Sequence, residues 1–200
     1  MSEHIYDKLA GRYENAFAPF ERWFLSRWRQ EVTAHLPAGA RILEVGAGTG
    51  LNFQYYPDCE LAAAGEISFG MIELAAQKNA QNESANISLV QADAERLPFA
   101  ANCFDAAFAT LVFCSVNEPL SAFAELKRVV KDGGRIVFLE HVRPPGLLGY
   151  IFDVINIFTV ALIEDHFNRR TGELVERSGL KIVEIKQKAF GIVNLIVCEA

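Results

Sequence analysis

Three glycines at two-residue intervals, Gly46, Gly48 and Gly50, follow directly on a short apolar segment over residues 41–45. Glycine lacks a Cβ, so such a turn can adopt positive φ angles and present bare backbone N–H groups to a ligand. A second apolar segment leads to Glu66, close to the roughly 20-residue offset at which a carboxylate hydrogen-bonds ribose hydroxyls. The turn and the acid together predict a nucleoside-binding site at the end of a strand.

The spacing of these glycines separates two kinds of nucleoside ligand. A dinucleotide-binding turn has the pattern G-x-G-x-x-G and opens a helix whose N-terminus faces the pyrophosphate. Here the pattern is G-x-G-x-G, and the chain continues with Leu51, Asn52 and Phe53. The spacing therefore disfavours a nicotinamide-dependent oxidoreductase, which stays as an alternative with the same kind of fold.

The glycine pattern resembles motif I of the class I S-adenosylmethionine (SAM)-dependent methyltransferases of type 11. The resemblance runs in the family's order over residues 41–142, through GEISFGMIELA at 65–75, QADAERLPF at 91–99, FDAAFATLVFCSV at 104–116 and ELKRVVKDGGRIVFLEHV at 125–142. It implies SAM as the cofactor and S-adenosylhomocysteine as the product. It also implies a cofactor site made by Glu44, Gly46, Gly48, Gly50, Glu66, Ile67, Met71, Asp93, Ala94, Thr110 and Leu111.

Strand-like apolar runs alternate with helical patterns along the chain, which predicts an α/β fold with a parallel sheet covered on both faces. The expected strands span 41–45, 61–66, 87–91, 104–110, 134–140, 181–188 and 191–198. The expected helices span about 21–35, 69–79, 119–130 and 169–178. The last two strands should pair antiparallel around Phe190 and Gly191. The predicted fold is a doubly wound, mostly parallel seven-stranded sheet of the Rossmann-like methyltransferase type, with an antiparallel C-terminal hairpin.

Length and composition predict one domain with a full core, since the chain has 200 residues and 51% of them are hydrophobic. We expect a helical cap over 1–36, a cofactor-binding core over 41–142, an apolar lid over 143–170, and a last helix with the closing hairpin over 171–200. The net charge of −6 and the pI near 5.3 argue against nucleic acid as a partner, which would favour a pI above about 9. The oligomeric state is not predicted.

The four cysteines are Cys59, Cys103, Cys114 and Cys198, and they are scattered without metal-ligand or paired spacing. Neither a metal site nor a disulfide framework is predicted. A reducing cytoplasm is the expected location, because the N-terminal residues carry no basic segment followed by an apolar one.

The N-terminal segment carries two features that bear on the substrate. Tyr6 and Tyr13 lie in a stretch similar to the opening of methyltransferases that modify quinones and phospholipids, which implies that they cover the cofactor. Aromatic and basic residues then follow at mostly helical spacing: Phe17, Phe20, Arg22, Trp23, Phe24, Arg27, Trp28 and Arg29. This pattern fits a helix packed on its own core, or an amphipathic helix in peripheral contact with an anionic membrane.

A nearly continuous apolar run spans residues 147–163, where it follows the fifth expected strand. Asp153 and Asn156 interrupt it, and a membrane span needs about 20 apolar residues with few charges. We therefore predict a lid over a lipid-like substrate, with a buried helix or a dimer contact as the alternatives.

Polar residues downstream of this run are candidates for substrate binding. These are His166, Arg169 and Arg170, and the two arginines are suited to holding a phosphate bidentately. The neighbouring Asn168 and Thr171 are equally consistent with a helix cap.

Shorter segments narrow the resemblance. TLVFCSV at 110–116, LEHV at 139–142 and the run 168–171 are similar to bacterial phosphatidylethanolamine N-methyltransferases and to animal methyltransferase-like thiol methyltransferases. This likeness implies N-methylation of a phospholipid headgroup amine. A quinone or small hydrophobic thiol as acceptor and a non-catalytic cofactor-binding regulator are the alternatives.

The transfer of a methyl group from a sulfonium asks mainly for positioning and, with an amine acceptor, for removal of one proton. His141, at the end of the fifth expected strand, is a candidate base, because a neutral imidazole suits proton removal near pH 7. Tyr6 and Tyr13 are candidates for orienting the nucleophile. The sequence does not choose among them.

Overall fold

The strands form one sheet in the computed structural model, which describes residues 21–81, 87–163 and 168–200. In chain order they are β1 Arg41–Val45, β2 Leu61–Glu66, β3 Ile87–Gln91, β4 Phe104–Thr110, β5 Val130–His141, β6 Lys181–Lys188 and β7 Val193–Glu199. They lie in the order β3-β2-β1-β4-β5-β7-β6. The strands from β3 to β5 are parallel, whereas β7 runs antiparallel to both β5 and β6. The predicted mostly parallel seven-stranded sheet with a closing hairpin is confirmed.

The helices of the described residues are α1 Ser26–Ala34, α2 Phe69–Asn79, α3 Pro119–Val129, α4 Gly146–Ile163 and α5 Thr171–Ser178. A π-helical turn, Glu21–Leu25, leads into α1. Local sequence fixes several ends: Ser68 caps α2, Pro119 begins α3, and Gly179 follows α5 with φ +79°. Within the described ranges, none of these helices has both the length and the apolar character needed to cross a bilayer.

Apolar side chains pack on both faces of the sheet, because alternate residues of the central strands point to opposite sides. On one face the rings of Phe113 and Phe123 stack with centroids 4.4 Å apart, and Phe138 meets both rings edge-on. On the other face Val32 of α1 belongs to a buried cluster with Phe108 of β4. Both layers hold the strands rigidly and fix the positions of their ends.

The order in which successive strands join the sheet reverses at β1: β2 and β3 lie on one side of it, and β4 and β5 lie on the other. Doubly wound sheets bind ligands in the crevice outside the carboxyl ends of the strands at such a reversal. The residues at these ends are Val45 of β1, Glu66 of β2, Thr110 of β4 and His141 of β5. The fold therefore places the glycine turn and the predicted acid at the same edge.

Some element boundaries differ from the sequence-based expectation. β5 begins at Val130 instead of residue 134, because Val130 pairs with Phe104 before a register shift. The lid segment is a long helix, α4, and β7 begins at Val193. The expected helix over 21–35 is a π-helical turn followed by the shorter α1, and the last helix begins at 171 instead of 169.

The closing hairpin turns tightly and forms one edge of the sheet. Ala189, Phe190 and Gly191 all adopt positive φ, and the Phe190 side chain is 92% exposed. A Cβ on Gly191 would lie 2.9 Å from Cδ of Pro145. The turn therefore lies against the segment that precedes α4. Exposed and half-buried residues alternate along β6, the outermost strand.

Candidate active site

The glycine turn is anchored to the neighbouring strand. The N–H groups of Gly46 and Ala47 both donate to the carbonyl of Gly65, at 2.8 and 3.0 Å. Gly46, Gly48 and Gly50 adopt φ angles of +70°, +55° and +80°. Residues with a Cβ rarely adopt these values, so the turn requires glycine on conformational grounds alone.

The three glycines have different surroundings. A Cβ on Gly46 would lie 2.4 Å from Cγ2 of Val112, and a Cβ on Gly50 would lie 2.5 Å from Cε2 of Phe53. A Cβ on Gly48 would meet no described atom within 4 Å. Gly46 and Gly50 are therefore required for packing, and Gly48 is the position that leaves room for a ligand to approach the backbone.

Glu66 lies directly beside this opening. One carboxylate oxygen accepts the N–H of Gly48 at 2.8 Å, and the other accepts the N–H of Ser68 at 2.9 Å. Glu66 is only 9% exposed, so these two bonds fix its carboxylate at the end of β2. The structure thus brings together the glycine turn and the acid for which the sequence predicts ribose binding.

Glu44 is buried below the turn and does not face the opening. Its carboxylate accepts hydrogen bonds from Nδ2 of Asn52 and from the hydroxyl of Tyr56, each at 2.5 Å. Burial raises the pKa of the Glu44 carboxyl above its ordinary value, although these hydrogen bonds and the charge of Arg29 act in the opposite direction. Direct cofactor binding by Glu44 is therefore not supported; this acid positions the chain after the turn.

Arg29 of α1 completes the same buried network. Its guanidinium donates to Oδ1 of Asn52 at 2.9 Å and to Oγ1 of Thr110 at 2.7 Å, and it forms an ion pair with Glu21 at 2.8 Å. The Asn52 amide also donates to Thr110, at 2.9 Å. Thr110, predicted to bind the cofactor, thus has its hydroxyl directed into this network. Together these contacts join the N-terminal helix, the glycine turn and the end of β4.

The buried position of Arg29 corrects the membrane interpretation of the N-terminal stripe. The membrane alternative requires the basic residues of the stripe to face outward, but Arg29 is buried, whereas Arg27 is exposed. Trp28 packs against the buried cluster on the α1 face of the sheet, which favours the core interpretation, while Phe24 remains 52% exposed. Phe17 and Phe20 lie outside the described residues.

The predicted adenine-binding residues border the opening from the next strands. Asp93 is exposed after β3, and its carboxylate accepts the N–H of Glu95 at 2.9 Å. Ala94 is half-buried beside it. Ile67 lies at the end of β2 with its carbonyl accepting from Gln91 at 3.0 Å, and Met71 is buried in the first turn of α2. Their cofactor contacts stay predictions.

The segment after β4 is held by an acid that the sequence analysis missed. Glu140 of β5 is fully buried, and one of its carboxylate oxygens accepts the N–H groups of Val112 and Phe113, at 3.0 and 3.1 Å. Leu111, a predicted cofactor residue, has φ +59° at the start of this segment. The signal available in the sequence is an acid inside an otherwise apolar strand, which Glu44 shows as well.

The two arginines predicted to clamp a phosphate do not point to a common site. The guanidinium of Arg169 donates to the carbonyls of Phe113 and Val116. The guanidinium of Arg170 is exposed and pairs with Glu173 one turn along α5, at 3.0 Å. The structure does not support the bidentate phosphate site, because the two side chains are engaged with different parts of the chain.

Four other predicted site residues remain predictions. His141 is the last residue of β5, pairs with Val193 of β7, and is half-buried at the edge where the strand ends meet. His166, Tyr6 and Tyr13 lie outside the described residues. The position of His141 at this edge is consistent with its predicted role.

Polar side chains of the lid helix α4 are bonded to the rest of the chain, whereas several of its apolar side chains are exposed. Its polar side is anchored: Arg143 pairs with Asp153 at 2.8 Å, and Asn168 donates to the same carboxylate at 3.0 Å. Arg143, followed by Asn168, lowers the pKa of Asp153 to about 2. Apolar side chains of the helix are instead exposed, at 78%, 66%, 52% and 57% for Leu147, Tyr150, Ile151 and Val154. These four residues, spaced as one helix face, are called the apolar stripe below.

Comparison with known proteins agrees with this arrangement. Residues 43–138 match the family described as methyltransferase domain. A SAM-dependent methyltransferase from Aquifex aeolicus is 17% identical with a TM-score of 0.68, over 99% of this chain and 97% of that one. Residues 43–138 are thus similar to a methyltransferase domain, and the chain has the Rossmann-like fold of that solved structure.

Relatives at higher identity are named for quinones and thiols. The demethylmenaquinone methyltransferase of Renibacterium salmoninarum is 34% identical over 70% of this chain and 58% of that protein. The thiol S-methyltransferase TMT1B of Rattus norvegicus is 30% identical over 72% of this chain and 62% of that protein. The matches thus span about three fifths of these relatives.

The domain and its fold imply SAM as the cofactor and S-adenosylhomocysteine as the product. The observed residues fit this cofactor, because a Cβ on Gly48 would meet no described atom within 4 Å and the N–H of Gly48 fixes the Glu66 carboxylate beside this space. The relatives named above do not include a phosphatidylethanolamine methyltransferase, so the phospholipid interpretation has no support from them.

Proposed function

We propose that this protein is a SAM-dependent methyltransferase that acts on a small hydrophobic acceptor, with the ring carbon of a quinone as the first candidate. The observation that carries the proposal is the contact between Glu66 and the N–H of Gly48 at the reversal point of the sheet. It fixes an acid beside an uncrowded glycine at the place where such folds bind nucleosides. The match of residues 43–138 to a methyltransferase domain supplies the reaction class.

In this proposal the cofactor's ribose hydroxyls bind Glu66, and its adenine lies near Asp93 and Ala94. When bound, SAM supplies an activated methyl group. The chain itself aligns the acceptor with that methyl group, excludes water and accepts a proton from the acceptor. His141, at the end of β5, is the candidate base, with Tyr6 and Tyr13 as candidates for orienting the acceptor.

The choice of a quinone over a phospholipid is supported by two observations. Arg169 and Arg170 are directed to the segment after β4 and to Glu173, so no paired guanidinium groups are presented to a headgroup phosphate. The relative from Renibacterium is named for demethylmenaquinone. A hydrophobic thiol is the second candidate, supported by the relative named for thiol S-methylation.

The apolar stripe extends the proposal to the surroundings of the acceptor. It lies on α4, which begins five residues after the end of β5, at the edge of the candidate site. Exposed apolar patches of this kind mark interaction sites. In this proposal the stripe contacts the apolar part of the acceptor or the lipid surface in which that acceptor is dissolved, which gives a peripheral membrane contact on α4 instead of the N-terminal helix.

The proposal is tested by turnover of methyl-labelled SAM with three acceptors presented in the same detergent: a demethylated quinone kept in its reduced quinol form, whose electron-rich ring carbon can attack the methyl group, a hydrophobic thiol and phosphatidylethanolamine. We expect label in the quinone, identified by mass spectrometry. Label in the thiol alone would establish the second candidate, and label in phosphatidylethanolamine alone would overturn the acceptor assignment. Calorimetric titration with S-adenosylhomocysteine and with NAD tests the cofactor separately, and tight binding of NAD alone would overturn the reaction class.

A further inference from the structure

Residues 111–116 join the end of β4 to the loop before α3 at the edge of the candidate site. The first half of this segment is fixed by β5. The N–H of Leu111 donates to the carbonyl of Leu139 at 2.7 Å. Glu140 then accepts from the N–H groups of Val112 and Phe113. The strained φ of +59° at Leu111 persists because its surroundings determine it.

The second half of the segment is fixed from the opposite side by Arg169. The Nη1 atom of Arg169 donates to the carbonyls of Phe113 and Val116, the latter at 2.6 Å. Both hydrogen bonds come from the same charged guanidinium group, and hydrogen bonds from a charged donor are roughly twice as strong as neutral ones. Glu140 and Arg169 therefore hold the segment between a buried acid and a partly buried base.

Arg169 is itself positioned by α4. Its carbonyl accepts the N–H of Arg143 at 3.3 Å. The preceding residue, Asn168, donates from its side chain to Asp153 and from its backbone to Oδ1 of Asn156, at 3.0 and 3.3 Å. Two consecutive residues, Asn168 and Arg169, therefore link α4 to residues 111–116.

We infer that Arg169 is a positioning residue that holds residues 111–116 in the conformation required for acceptor alignment. This inference rests on the proposed function, because residues 111–116 form part of the site only if the acceptor binds at this edge. It replaces the phosphate-binding role predicted for Arg169. Cofactor affinity depends on it little, since the predicted cofactor residues at this edge are held without Arg169: Thr110 by Arg29 and Asn52, and the backbone of Leu111 by the carbonyl of Leu139.

The first experiment measures amide hydrogen exchange in the S-adenosylhomocysteine complex, without any acceptor. Arg169→Ala should accelerate exchange at the amides of Val112, Phe113 and Ser115 at least tenfold, because local opening becomes easier. Arg169→Lys, which keeps the charge and one donor, should give an intermediate rate. Arg170→Ala is the matched control and should leave these amides unchanged. Equal rates in the wild type and Arg169→Ala would overturn the inference.

The second experiment measures kinetics with the acceptor that the wild-type protein methylates. Arg169→Ala should lower kcat/KM for that acceptor at least tenfold, while the Kd for S-adenosylhomocysteine stays within twofold, and Arg169→Lys should recover part of the loss. A parallel loss of cofactor affinity, or the same kinetic loss in Arg170→Ala, would overturn the positioning role. If the wild type methylates none of the acceptors tested, the proposed function fails, and the exchange experiment still decides whether Arg169 holds residues 111–116.

Discussion

The Tyr56 hydroxyl donates to the Glu44 carboxylate across 2.5 Å, inside the protein and directly beneath the glycine turn. Glu44 precedes the turn and Tyr56 follows it, so this bond joins the two ends of the segment that would surround the cofactor. Burial raises the pKa of Glu44, and burial with the nearby carboxylate raises the pKa of Tyr56 well above its ordinary value. The turn is thus supported by an ionisable group that water does not reach.

A pH dependence of stability follows from Glu44. Its pKa in the folded chain lies above the ordinary value of 4.5, so the folded state binds more protons than the unfolded state between these two values. This contribution to stability is fully present below 4.5 and is lost as pH rises through the raised pKa. Glu44→Gln does not titrate there, and its free energy of unfolding relative to the wild type should rise over that window.

Urea denaturation at a series of pH values from 4.5 upward measures this difference. Glu60→Gln, at an exposed position before β2, is the control and should follow the wild-type pH dependence. Parallel curves for Glu44→Gln and the wild type would show that burial does not raise the pKa of Glu44.

Cofactor affinity should depend on Glu66. Charge-assisted hydrogen bonds to ribose hydroxyls are worth about 1.5–3 kcal/mol each. Glu66→Ala should therefore weaken S-adenosylhomocysteine binding by roughly tenfold to a hundredfold, measured by titration calorimetry. Glu60→Ala should bind as the wild type does. Wild-type affinity in a folded Glu66→Ala protein would remove this residue from the site.

The glycines of the turn should separate into two classes. A Cβ on Gly46 meets Val112 at 2.4 Å, and a Cβ on Gly48 or Gly39 meets nothing described within 4 Å, although all three have positive φ. Gly39→Ala should thus report the cost of the left-handed conformation alone, about 1–2 kcal/mol. Gly48→Ala should lose a similar amount and also bind S-adenosylhomocysteine more weakly.

Gly46→Ala should unfold at a lower urea concentration than either of these variants, because it adds a steric overlap to the same backbone strain. Thermal melts and calorimetry on the three proteins distinguish the classes. Equal stability of Gly46→Ala and Gly39→Ala would contradict the packing role of Gly46, and unchanged cofactor affinity of Gly48→Ala would contradict the proposed approach of the ligand.

The apolar stripe should contribute to binding of lipid vesicles. Complete burial of a large apolar side chain contributes about 1.5–3 kcal/mol, so Leu147→Ser with Ile151→Ser should weaken co-sedimentation with phosphatidylcholine vesicles at least tenfold. Val183→Ser, at a 49% exposed position on β6, is the control. No sedimentation of the wild type, or an equal loss in the control, would restrict the stripe to contact with the acceptor.

The strands of the sheet could be predicted from the sequence where they are short, buried and bounded by turn residues. The bounds of β1, β2, β3, β4 and β6 agree with the expectation. β5 begins earlier than expected because Val130 finds a partner on β4 across a register shift, which local sequence does not encode. The proximity of the glycine turn and Glu66 also followed from the motif, since parallel strand ends meet at one edge, whereas the hydrogen bond of Gly48 to Glu66 is seen only in the structure.

The side-chain contacts of Arg29 and Arg169 could not be predicted from the sequence. Arg29 bonds to Thr110, 81 residues away, and Arg169 bonds to Phe113, 56 residues away. Charge and helical spacing left membrane contact open for Arg29 beside core packing, and charge suggested phosphate binding for Arg169. Only the tertiary fold shows that these guanidinium groups satisfy buried oxygens of the chain itself, which is why both roles required correction.

The alternating exposure of β6 has a consequence for the protein in concentrated solution. An outermost strand offers unpaired backbone groups to any other chain, and exposed Val183 and Ile185 make such pairing attractive. Lys181, Lys186 and Lys188 along the same strand oppose it, since a second strand there would strip their water and disturb their ion pairs with Glu199, Glu184 and Glu31. The hairpin that completes the sheet therefore also discourages its growth into fibres.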